Sequence, residues 1–133
     1  MIPIQVRGAT GSASILGMLD TGADITLLPA ELLPLIGTSF DVERTVEING
    51  VGGEPLIAHF ANVELSLGYQ EQLYRWTAQV GFLEGRTVAL LGHAGFLNYF
   101  TATFNGNQKR VTLRVNKRFP GERTDQISAQ QEN

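Results

Sequence analysis

No cysteine occurs among the 133 residues, which removes disulfides, a thiol nucleophile and thiolate-ligated metal at once. Histidine is nearly as scarce. His59 and His93 stand far apart, without the spacing of a metal-ligand pair, so neither a metal nor a cofactor is expected. Charge is sparse too: 17% of residues are charged and the formal net charge is −3, a balance that favours neither nucleic acid nor an anionic membrane as partner. Basic residues do gather late in the chain, at Lys109, Arg110, Arg114, Lys117, Arg118 and Arg123, where solvation is the plain reading. No apolar run reaches the ~18 residues of a membrane span, and the first residues lack the charged-then-apolar pattern of a signal peptide. The expectation is a cytoplasmic chain, self-contained or cut from a longer precursor.

What is present describes one all-β domain. Hydrophobic residues make up 43%, enough for a single core at this length. Residues 2–7 alternate apolar and polar, Gly8 to Ser12 is a turn cluster, and residues 13–19 form a second strand, so the chain opens with a β-hairpin. Ile25 to Leu28 reads as a strand stopped by Pro29. Ala30 to Ile36 reads as one or two helical turns ended by Gly37. Residues 42–48 and 56–67 alternate around Asn49-Gly50-Val51-Gly52-Gly53-Glu54-Pro55. A plain turn needs one or two glycines; the surplus describes a hairpin tip that moves or lays its backbone against a ligand. Leu73 to Val80 is a further strand, and Trp76 within it is read as packing rather than as a site aromatic. Val88 to Leu91 reads as a buried strand ending at Gly92, followed by a short helix carrying Phe96, Leu97 and Phe100. Asn105-Gly106 then marks a last hairpin, residues 101–104 against 110–115. From about Asn116 the chain turns polar, so the domain is placed at residues 1–115 with a disordered tail at 116–133.

The stretch that points to chemistry is Met18-Leu19-Asp20-Thr21-Gly22-Ala23-Asp24-Ile25-Thr26-Leu27-Leu28. An apolar strand runs into an acid at a tight turn, and a second apolar run follows. Asp20-Thr21-Gly22 between apolar strands, with Ala23-Asp24 behind it, resembles the active-site loop of the retropepsin-like (retroviral-type) aspartic proteases. The glycine-rich hairpin resembles that family's flap, with Asn49 to Gly53 at its tip. Leu90-Leu91-Gly92 and the segment after it resemble the stretch that lies beside the family's active-site loop. Family members usually carry arginine after that glycine. This chain has His93, which could brace Asp24 only while protonated.

The resemblance covers roughly residues 2–115. It implies a closed acid-protease β-barrel with one short helix and a flap hairpin, one lobe per chain. Because Asp-Thr-Gly occurs once, a carboxylate pair implies a homodimer, to which the C-terminal strand contributes in the family. It further implies that Asp20 supplies the catalytic acid, that Thr21 hydrogen-bonds across the two-fold axis, and that Gly22 lets substrate pass close. Ala23, Asp24, Gly50, Val51, Gly52 and Gly53 would bind a peptide or protein substrate. Leu91, Gly92 and His93 would support the loop. Two other readings stand beside this one: a catalytically silent dimerisation or binding module of the same fold, and a β domain that never dimerises. The plain structural reading of Asp20 itself is a turn acid that satisfies local amides.

Overall fold

The computed structural model describes residues 1–39, 43–49, 53–69 and 71–125. The opening hairpin forms as its alternation requires: β1 (Ile2–Arg7) pairs antiparallel with β2 (Ser12–Leu19), Ile4 opposite Ile15. β3 (Leu27–Pro29) follows, and then α1 (Leu32–Ile36). Gly37 ends this helix at φ 70°, a left-handed conformation that a side chain at this position would strain.

β4 (Thr45–Ile48) and β5 (Leu56–Tyr69) form the expected glycine-rich hairpin, Ile48 opposite Leu56. Its tip residues Gly50, Val51 and Gly52 lie outside the described residues. β5 continues into a long hairpin with β6 (Gln72–Leu83), Tyr69 opposite Gln72. β6 therefore runs past the Val80 boundary read from sequence. Its last four residues are all buried, because this end is flanked by β5 on one side and by β3, in parallel, on the other. Two-sided burial gives a continuous apolar run in place of alternation.

β7 (Ala89–Leu91) slots between β2, which it parallels, and β3. The order β6-β3-β7-β2-β1-β5, with β5 returning to β6, closes six strands into a barrel, while β4 and β10 (Glu122–Asp125) extend it at either side. The fold is thus all-β and barrel-shaped, with very little helix. Val6, Leu28, Ile36, Leu65, Val80, Phe82, Leu91 and Phe96 fill its core.

Two sequence expectations need correction, and a third holds with an added contact. The helix expected after Gly92 is one 3₁₀ turn, Leu97–Tyr99. It stops there because Phe100 already begins β8 (Phe100–Asn105), which pairs with β9 (Arg110–Val115) as a separate two-stranded sheet. Trp76 is buried, as expected for packing, and also donates its indole N–H to the Gly95 carbonyl at 2.9 Å. Residues 116–125 are not a disordered tail. Phe119 sits edge-on to Trp76 with ring centroids 5.6 Å apart, and β10 pairs antiparallel with β6, Glu122 opposite Arg75. One aromatic ring set among polar residues carries this segment back onto the barrel.

Candidate active site

Asp20 stands at the end of β2, where the chain leaves the barrel wall for a turn. Its N–H donates to the Leu91 carbonyl at 3.1 Å, so β7 still holds it at the last barrel position. The turn then closes on the aspartate itself. Ala23 N–H donates to the Asp20 carbonyl at 3.2 Å, and Gly22 N–H donates to Asp20 Oδ1 at 2.9 Å. One carboxylate oxygen is thereby oriented by a backbone amide, as a charge-assisted acceptor. The Asp20 side chain is half-buried, and Thr21 and Gly22 are exposed.

The segment after β7 crosses directly behind the loop. His93 N–H donates to the Ala23 carbonyl and Ala94 N–H to the Asp24 carbonyl, both at 2.9 Å. Ile25 bridges Ala94 in parallel. Sequence reasoning missed Thr26 here. It is fully buried, and both its N–H (3.1 Å) and its hydroxyl (2.8 Å) donate to the Ala94 carbonyl. A lone hydroxyl inside an apolar run was the available signal, since a buried hydroxyl must find an acceptor.

His93 departs from the expectation attached to it. Its Nε2 lies 2.7 Å from the Thr21 carbonyl oxygen, not against the Asp24 carboxylate. A carbonyl only accepts, so Nε2 carries the hydrogen. A neutral imidazole in that tautomer donates as well as a charged one, so this brace does not require protonation. His93→Ala should speed backbone amide exchange across the Asp20–Ala23 turn about 10-fold, because the turn loses the contact that holds it from behind. His93→Gln, which restores an N–H, should recover part of the protection. Hydrogen exchange on both variants checks this; equal exchange in all three proteins would show that the contact positions nothing.

The other residues singled out from sequence divide into two groups. Leu91, Gly92 and His93 are brought against the Asp20–Asp24 loop, with Leu91 and Gly92 buried. The Asp24 side chain is exposed and makes no hydrogen bond or ion pair to another described residue. Gly53 is exposed and has open space where a Cβ would lie, while Gly50, Val51 and Gly52 are outside the described residues. Gly22 gives a less obvious result. A Cβ there would meet only Asp20 Oδ1, at 3.3 Å, and its φ is not positive. No other described residue comes close enough to demand a glycine.

Among the described residues no group of three His, Asp or Glu side chains gathers in ligating geometry. No protein-family model, curated protein or solved structure gives a significant match to this chain. The loop geometry and the sequence motif are therefore what any functional reading rests on.

Proposed function

We propose that this chain is a retropepsin-type aspartic endopeptidase that works as a homodimer. The observation that carries the reading is the Asp20–Gly22 turn: an acid, oriented by an amide and held from behind by β7 and the His93 segment, faces outward at an exposed glycine. A turn acid needed only for local amides would not require the His93 brace behind it. A glycine whose Cβ position meets only Asp20 Oδ1 among the described residues suits close approach by a second chain.

Hydrolysis by this route needs two carboxylates and one proton between them. Two like charges in contact do not both ionise, so the pair contains one base and one acid. Asp20 of one copy removes a proton from water as the water oxygen attacks the peptide carbonyl carbon. Asp20 of the second copy, protonated, gives its proton to the carbonyl oxygen. The tetrahedral intermediate then collapses with proton transfer to the amide nitrogen, and the C–N bond breaks. The flap hairpin β4–β5 would cover the substrate and exclude water.

A surface for the second copy adjoins the loop. Met18, two residues before Asp20, is 41% exposed, and Met1 and Phe104 are exposed as well. These three line a groove of about 290 Å³ with Ile2, Leu19 and Val111. Large apolar side chains together at a surface mark a contact surface. Met18→Glu should produce a folded monomer with no peptide hydrolysis. Sedimentation together with cleavage of a mixed peptide library across acidic and neutral pH tests the proposal. An active wild-type dimer supports it. A folded dimer inactive at every pH would favour the binding-module reading, and a folded wild-type monomer would remove the shared dyad.

A further inference from the structure

Beyond the Asp20 loop the chain lays down an apolar wall. Leu27, Ala58 and Leu83 are buried together, and Ile25, Val46, Ile48 and Leu90 pack half-buried around them. Ile25 directly follows the exposed Asp24, and Val46 and Ile48 belong to the flap hairpin. Opposed residues of an antiparallel pair share a face. Val46 stands opposite Ala58 and Ile48 opposite Leu56, so Leu56 carries the same face one pair further toward the tip.

This wall opens into a groove of about 270 Å³ between the root of the flap and α1. Leu83 belongs to both, and Ala30, Leu33, Leu56 and Ile57 form most of the remaining apolar lining. Leu56 and Ile57 are 50% and 57% exposed, and large uncovered apolar side chains around a concavity mark a contact surface. A volume below the about 300 Å³ at which small-ligand pockets begin suits one or two side chains of a polypeptide. The groove shares no lining residue with the Met18 groove assigned to the second copy. Its rim is acidic. Glu84 is exposed and lines the groove, Glu31 is exposed beside Ala30, and Glu47 is exposed opposite Ile57. Among the described residues none of the three makes an ion pair, and no lysine or arginine lines the groove. The arginines nearest along the chain are engaged elsewhere: Arg86 Nε donates to the Val88 carbonyl, and Arg44 is bonded to the Gln79 side chain.

We infer that this groove holds a segment of the protein substrate distant from the scissile bond, with an apolar side chain seated against Leu33, Ile57 and Leu83 and a lysine or arginine next to it at the acidic rim. The inference rests on the peptidase reading, and the continuity of the wall carries it. Ile25 to Ala30 spans about 17 Å at the rise of a strand, so a substrate strand laid over the wall from the Asp20 loop reaches the groove about five residues from the cut. A cation there meets unpartnered carboxylates as charge-assisted contacts. The same acids repel nucleic acid and acidic segments.

Two measurements on the full chain separate this inference from the reading beneath it. In the first, amide NMR shifts are followed while acetyl-Gly-Ser-Leu-Lys-Ser-Gly-amide is added, and then its Leu-Glu and Ser-Lys counterparts. The Leu-Lys peptide should give saturable shifts at residues 30–33 and 83–84, with binding at least about 10-fold tighter than either counterpart. Ile57→Asp should weaken it about 10-fold through the lost apolar contact. Glu84→Lys should abolish the preference for lysine over glutamate. Unchanged melting of both variants shows that their folds are intact. In the second, a peptide cleaved by the wild type is compared with the same peptide carrying Leu-Lys about five residues from the cut. KM should fall at least about 10-fold with kcat nearly unchanged, and should not fall in Ile57→Asp. Equal binding of the three peptides, shifts confined to the Asp20 loop, or a wild-type KM indifferent to the added segment would overturn the inference. Saturable shifts in the groove of a chain that cleaves nothing would remove the peptidase reading, and the substrate assignment with it, while leaving the groove a site for apolar–basic segments of another protein.

Discussion

Asp20→Asn is expected to reduce peptide hydrolysis at least about 1,000-fold while leaving the barrel folded and the dimer assembled, since acid–base groups commonly contribute that much. The structural side of this expectation follows from the geometry. The 2.9 Å bond from Gly22 N–H goes to Oδ1, and asparagine keeps an oxygen able to accept it. Turn closure through the Asp20 carbonyl and the link from its N–H to Leu91 involve only backbone. What the amide cannot do is exchange a proton with water. Loss of rate with an unchanged melting midpoint and sedimentation coefficient is the expected combination. A variant that melts early would assign Asp20 the role of a turn acid. A variant that cleaves as fast as wild type would remove the carboxylate pair from the mechanism. Mixed dimers sharpen the result. One asparagine per dimer removes either the acid or the base, so adding inactive chain in excess should suppress wild-type rate in proportion to mixed-dimer formation.

The parts of this molecule legible in its sequence are those in which a local pattern and the tertiary environment agree. β1 and β2 alternate because one face of each lies on the core. Gly37 stops α1 because its backbone turns left-handed, and the glycine cluster between residues 49 and 53 separates two strands that do pair. The rest depended on contacts with no local signature. β10 is four polar or charged residues that gain strand geometry only from the β6 edge. The 3₁₀ turn carries apolar spacing that a full helix would also carry, and the start of β8 decides between them. His93 was readable as a partner for the loop but not for the atom it meets. Its acceptor is a backbone carbonyl, which every residue possesses, and only the crossing of two segments selects Thr21.

That crossing behind the loop sets up the largest structural effect expected. At Gly92 a Cβ would overlap the Ile25 carbonyl oxygen and lie 2.7 Å from that of Ala23. Both obstacles are backbone, so no side chain can rotate away. To admit a methyl group, strand segments 23–25 and 91–94 must separate. That strains the Ala23–His93 and Asp24–Ala94 hydrogen bonds, and with them the Thr26 anchor on Ala94. Overpacking of a closed core costs about 1–3 kcal/mol and more when backbone must move. Gly92→Ala should therefore lose about 3 kcal/mol or more of stability, read as a lower urea midpoint. Gly106→Ala is the internal comparison. It lies in the β8–β9 turn with no described residue within 4 Å of a Cβ and without a positive φ, so it should be near neutral. If Gly92→Ala is as stable as Gly106→Ala, the two segments are not packed as closely as the geometry requires, and the rigid support proposed for Asp20 is lost with them. A large loss at Gly92 alone would tie the stability of the barrel to the same crossing that holds the carboxylate in place. The conformation of the candidate site would then be set by the fold itself and not by substrate.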